Sequence, residues 1–140
     1  MENLKEETYF TIKELCYSYT AEKAGFKNIP PKEHFKNIIE ITIPNMNKIR
    51  KYLGVLIKVN SGYRCKELNK LVGGVPNSYH VLGLAVDGVP QGMTVKEAWE
   101  KIKESPYHSG LMDQCILYEK RGFIHFGFTN KKPRKQFFTK

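Results

Sequence analysis

The chain has 140 residues, 41% of them hydrophobic, and a formal net charge of +9. That length suits one domain, residues 1–140, with a core of its own, and is short for two. No apolar run approaches the about 20 residues of a membrane-spanning helix, and Met1-Glu2-Asn3-Leu4-Lys5-Glu6-Glu7 carries acids where an export signal needs a basic and then an apolar stretch, so the sequence predicts synthesis in the cytoplasm without a signal peptide.

Cys16, Cys65 and Cys115 are odd in number and far apart, with no Cys-x-x-Cys. Neither a disulfide framework nor a thiolate zinc knuckle is supported, and three reduced, mostly buried thiols are expected. The positive charge fits an anionic partner: nucleic acid, an anionic cell wall or a membrane surface. The basic residues are spread along the chain, with one denser patch at Lys131-Lys132-Pro133-Arg134-Lys135. Residues 131–140 read equally as a frayed, solvated tail and as a binding patch. No nucleic-acid-reading motif and no aromatic-basic interleaving accompanies the charge, so a nucleic-acid partner is not predicted.

Thr11, with Glu14 three residues on, makes a capping-box start for a helix over residues 12–23, whose Ile12, Leu15, Cys16 and Tyr19 recur at helical spacing before Gly25 ends it. Lys27-Asn28-Ile29-Pro30-Pro31 reads as a rigid connector. A long helical segment over 32–53 follows. Phe35, Ile38, Ile39, Thr42, Met46, Ile49 and Leu53 form its apolar stripe, and Pro44 should kink or divide it. His34, near its start, is expected to be exposed or capping. Residues 55–60 read as a strand, Ser61-Gly62 as a turn, 64–71 as a short helix closed by Gly73-Gly74, and 75–78 as a loop. A second strand spans 84–89. Thr94 caps a helix to about residue 104, with Val95, Ala98, Trp99 and Ile102 facing inward. After a loop at 105–110, strands at 114–119 and 123–128 flank Lys120-Arg121-Gly122, which suits a three-residue hairpin with Gly122 left-handed. Helices first and a hairpin last predict an α+β fold: a small, mainly antiparallel sheet packed against N-terminal helices.

His80 and Asp87 are candidate ligands of one metal ion. Seven residues fully extended would span about 23 Å, so the chain must fold back between them. Gly83 stands where the tight turn is needed. Beyond it, Asp87 and small Ala85 share one face of the strand, and Leu84 and Val86 share the other. On the last strand Phe123, His125 and Gly127 share a face opposite the apolar Ile124, Phe126 and Phe128. His125 is therefore the best third ligand. Two histidines and one carboxylate leave a fourth position open, the arrangement of catalytic rather than structural zinc.

Ser61-Gly62-Tyr63-Arg64, Leu68-Asn69, Val72-Gly73-Gly74 and Ser78-x-His80-x-x-Gly83-x-Ala85-x-Asp87 closely resemble the zinc D-alanyl-D-alanine carboxypeptidase family, which includes peptidoglycan carboxypeptidases, D-Ala-D-Ala dipeptidases and phage endolysin peptidases. The similarity extends to Phe10-Thr11 to Leu15, Asn28-x-Pro30-Pro31, Asp113-Gln114 and Phe123-Ile124-His125, nearly the whole chain. The resemblance implies a Hedgehog/D-Ala-D-Ala-peptidase-like fold and one zinc ion on His80, Asp87 and His125. It implies that Arg64 contacts the substrate carbonyl or carboxylate and stabilises the developing oxyanion. It makes Ser78 a substrate-pocket residue, although a hydrogen bond orienting its own loop accounts for a serine there equally well. The implied substrate is a peptidoglycan stem peptide, cleaved as by a carboxypeptidase or an endolysin, with the anionic wall as a docking partner. A wall-binding or phage structural module that keeps the fold without catalysis is the alternative.

A zinc peptidase normally uses a carboxylate to take a proton from water and pass it to the leaving amine. Family members often carry an acid three residues before the last histidine; here that position is Gly122. Others place a glutamate on the preceding strand, a position that an ungapped reading from Asp113-Gln114 gives to Tyr118. With a three-residue loop, Glu119 faces Phe123 and shares the sheet face of His125. Glu119 is thus the expected catalytic carboxylate, with Asp113 and Tyr118 in reserve.

Overall fold

The computed structural model describes residues 8–140; residues 1–7, on which the expectation about export rests, lie outside them. The first predicted helix is two. Thr11 Oγ1 accepts the Glu14 amide at the start of α1 (Ile12–Cys16), the chain is extended at Tyr17, and Ser18 caps α2 (Tyr19–Ala24). The serine hydroxyl competes with the helical backbone and restarts it instead. Next, α3 (Lys32–Asn37) runs through a π-helical turn at Ile38–Thr42 into α4 (Ile43–Leu53). Pro44 neither stops nor divides the segment. It has no N–H for the preceding turn, and the helix widens there, with the Ile43 amide donating to Ile38 O, five residues back. Ile38, Thr42, Met46, Ile49 and Leu53 are buried as expected, whereas Phe35 and Ile39 remain exposed.

The sheet has the strand order β1 (Ile57–Ser61), β2 (Ala85–Pro90), β4 (Phe123–Gly127), β3 (Gln114–Tyr118), β5 (Gln136–Thr139). Its first three pairings are antiparallel; β3 and β5 run parallel, so the sheet is mixed. The strand β5 occupies part of the tail that the sequence reads equally as frayed and as a binding patch. Phe137 packs beside Trp99, and Arg134 anchors the approach by hydrogen bonding to the buried Asp113 carboxylate at 2.7 Å. The three remaining helices are α5 (Lys66–Leu71), α6 (Val95–Glu104) and α7 (Pro106–Ser109), the last a single turn where a loop is expected.

One sheet face, made of Val86, Cys115, Leu117, Ile124 and Phe126, is fully buried, and α6 packs over it with Ala98, Trp99 and Ile102. Each such large side chain contributes about 1.5–3 kcal/mol relative to exposure. The Trp99 indole N–H donates to Cys115 O at 3.0 Å, which satisfies its one polar atom in the core. The opposite face carries Asp87 and His125, and it forms the floor of an open cleft of about 990 Å³.

Candidate active site

Three elements converge on Arg64 and His80. The chain leaves β1 at Ser61 and passes so close to α1 that a Cβ on Gly62 would collide with Leu15 O. The next amide, Tyr63 N, donates to that same carbonyl at 2.7 Å. A side chain at position 62 would thus push the loop off the helix. Asn28 clamps the stretch from the other side. Its Nδ2 donates to Tyr63 O at 2.8 Å and to Cys16 O at 2.9 Å, and its Oδ1 accepts from Cys65 N at 2.7 Å. Arg64 lies between the two clamped residues, and its own amide donates to His80 O at 3.1 Å.

The fold-back between His80 and Asp87 is a turn at Gly83, with φ +75°. The Leu84 amide returns to Tyr79 O at 2.9 Å. The long helix holds this turn: Asn37 Nδ2 donates to Leu82 O at 2.9 Å, and Thr42 Oγ1 to Gly83 O at 2.6 Å. A Cβ on Gly83 would stand 2.7 Å from His34 O, so the turn can approach the helix only with glycine there. His34 is half-buried under this contact, and its Nδ1 is buried without a hydrogen-bond partner, unlike the exposed or capping residue expected. Ser78 Oγ accepts from the His80 amide at 3.2 Å, which is the loop-orienting role read for it; it also lines the cleft.

The ladder then places Asp87 directly opposite His125, with Ser61 on the other side of Asp87. His125 Nδ1 lies 2.8 Å from Asp87 Oδ1, and His80 Nε2 lies 3.3 Å from Asp87 Oδ2. Ligand atoms of the three side chains fall within 4.8 Å of one another, a group that could hold a metal ion. The tautomer of His80 supports the fit. Its Nδ1 is 2.7 Å from Gly62 O, and a carbonyl only accepts, so Nδ1 carries the proton and Nε2 presents its lone pair. Burial lowers the His80 pKa, against the opposing pull of Asp87, and favours the neutral ring. Its Nε2 is then a buried acceptor with no hydrogen-bond donor, facing a carboxylate that also only accepts. A cation between them satisfies both. The Gly62 carbonyl behind Nδ1 is the usual outer-shell partner of a metal-ligating imidazole. Burial pushes the Asp87 carboxyl up, but the hydrogen bond from His125 and the His80 ring beside its other oxygen outweigh it and hold the group well below the ordinary carboxylate range.

Arg64 completes the constellation. Its Nε donates to Ser61 Oγ at 3.2 Å and one terminal nitrogen to Asn69 Oδ1 at 3.1 Å, while the other lies 3.7 Å from Asp87 Oδ2. Burial lowers its pKa and Asp87 opposes this, yet a guanidinium keeps its charge.

The hairpin departs from the expected register. Tyr118 pairs with Phe123 and Ile116 with His125, so the loop has four residues rather than three. Gly122 is left-handed as expected, but its amide reaches Tyr118 O at 2.8 Å and closes the turn one residue earlier. Glu119 therefore leaves the ladder: it is exposed in the turn and does not line the cleft. Tyr118 takes the face shared with His125. Asp113, the other reserve, is buried and bound by Arg134, not directed at the cleft. Among the described residues Glu14 is the carboxylate that lines the cleft besides Asp87, and the sequence marks it only as a capping residue. Asn28, Asn37, Thr42 and Asn69 also escape sequence reasoning as site residues, because polar side chains that serve backbone carbonyls have no spacing rule.

No helix among the described residues is long and apolar enough to cross a membrane. A search of curated proteins finds no match. The sequence model of the Peptidase M15 family matches residues 8–127, which span the clamped Arg64 loop, the Gly83 turn and the hairpin, and the chain belongs to this family of zinc-dependent metallopeptidases.

Proposed function

We propose that the protein is a zinc peptidase that hydrolyses peptide bonds in peptidoglycan stem peptides, with His80, Asp87 and His125 as the ligands of one zinc ion. The observation that carries the reading is the buried, donor-less Nε2 of His80 facing the Asp87 carboxylate in a cleft open to solvent. Zinc held there supplies a Lewis acid and, at neutral pH, a nucleophile from water. Arg64 is pre-oriented by Ser61 and Asn69, and its remaining N–H groups donate to the carbonyl oxygen of the bond attacked as negative charge develops. Ser78 fixes the His80 loop and borders the substrate. Two carboxylates compete for the proton-accepting role. Glu119, the one read from the sequence, needs the turn to fold inward; Glu14 already stands along the cleft wall.

The positive charge of the chain favours docking to an anionic wall, where a phage lytic enzyme or virion component would act. Zinc content of the purified protein, together with chelator-sensitive release of D-alanine or of stem-peptide fragments, tests the reading. Stoichiometric zinc without any cleavage of wall peptides would favour the non-catalytic wall-binding module.

A further inference from the structure

At the hairpin end of the cleft the wall turns basic. Tyr118 and Phe123, cross-strand partners on the His125 face, stack with ring centroids 4.5 Å apart and planes 14° off parallel. The Arg121 guanidinium lies over both rings, 5.1 Å from the Phe123 centroid and 5.8 Å from that of Tyr118. Contact of this kind restrains the guanidinium beside the rings without using its N–H donors, which stay available to an acceptor. Beside it, the Lys140 amide donates to Leu117 O at 2.9 Å and brings that lysine to the same wall. Lys140 lies beyond the residues matched to the family, so the second cation comes from a segment outside that match. Neither Arg121 nor Lys140 has an aspartate or glutamate side chain within ion-pair distance among the described residues. Arg121, held beside an aromatic stack, and Lys140 line the same open volume as Arg64 and the metal-ligand group.

The distance along the cleft sets what can be reached. Phe123 and His125 are two residues apart on one strand face, about 7 Å. Arg121 lies one step further, over the Phe123 ring. An extended peptide with its reacting bond at His125 would present a side group there about two to three residues away.

We propose that Arg121 and Lys140 form a carboxylate-binding subsite that selects peptides carrying an acidic group about two to three residues from the bond cut. The assignment rests on the peptidase reading and gives it a substrate preference: the stem peptide is recognised through a free carboxylate remote from the reacting carbonyl. The bond attacked is positioned by Arg64, and the remote carboxylate by Arg121 and Lys140.

The test uses the zinc-loaded full chain and two synthetic stem pentapeptides that differ by one group, a free carboxylate on the second residue or its amide. The wild type is expected to cleave the acidic peptide with kcat/KM about tenfold above the amidated one, chiefly through KM. Arg121→Gln with Lys140→Gln should remove that preference and leave cleavage of the amidated peptide and zinc stoichiometry unchanged. Arg121→Lys, which keeps the charge but not the fork, should recover only part of it. Equal cleavage of both peptides by the wild type overturns the subsite and leaves the peptidase reading standing. A preference that survives in the double variant also overturns it. Variants that lose activity on whole peptidoglycan alone, with no change on either peptide, assign the two cations to a wall polymer instead and overturn it as well. No cleavage of either peptide by zinc-loaded wild type removes the reading beneath it.

Discussion

Asp87 and His125 are directly opposed across the β2–β4 ladder, and their side chains meet with Oδ1 2.8 Å from Nδ1. Register alone brings together two residues 38 positions apart, and His80 joins them through a turn that two helix side chains hold. With zinc bound by all three, His125→Ala should weaken zinc binding by more than about 100-fold, since losses in the outer shell alone reach that. Competition with a chromophoric chelator measures it, and an unchanged far-UV circular dichroism spectrum shows that the fold survives.

Arg64 is held as a fork, by Ser61 and Asn69, before any substrate arrives. A lysine keeps the charge but cannot reproduce the geometry. Arg64→Lys is expected to lower kcat about 100-fold, the cost of losing an oriented donor to the oxyanion, with little change in zinc affinity. Steady-state kinetics beside a zinc titration separate the two effects.

The hairpin register turns Glu119 out into the four-residue loop, while Glu14, also exposed, lines the cleft. Glu14→Gln should reduce kcat by about 100-fold or more, the usual contribution of a positioned proton acceptor. Glu119→Gln should stay within about threefold of wild type. The reverse ranking would return the role to Glu119.

Asp113 joins the tail to the sheet. Burial pushes its carboxyl up, but hydrogen bonds from the Arg134 side chain and backbone outweigh that and hold it below its ordinary value. A carboxyl lowered on folding binds its proton more readily in the unfolded chain. Its stabilisation is therefore complete above the ordinary aspartate pKa and is lost as pH falls through the lowered folded value. Urea denaturation should show wild type more stable than Asp113→Asn at pH 7, with the gap closing towards pH 3. A gap that widens on acidification would contradict this assignment.

Much of this site is legible in the sequence because its logic is periodic. Alternation on a strand puts Asp87 beside Ala85 and His125 beside Gly127, and the turn at Gly83 follows from the span to be closed. The hairpin is where reading fails. Gly122 takes the left-handed conformation in both three- and four-residue loops, so one residue of register, and with it the face of Glu119, cannot be read from turn chemistry. The tail fails for another reason. Lys131 to Lys135 read equally as solvated charge and as a binding patch, and only the three-dimensional position of buried Asp113 gives Arg134 a partner and lets Phe137 pack beside Trp99. The clamping roles of Asn28, Asn37 and Thr42 cannot be read because their partners are backbone carbonyls and amides from 12 to 45 residues away.

Mass spectrometry of purified peptidoglycan digested by the protein, with zinc and with chelator, shows whether this zinc site cleaves stem peptides. New stem-peptide products are expected only with zinc, where they identify the bond cut, and none with His125→Ala. A protein that takes up no zinc and leaves the stem peptides intact would contradict the proposed function.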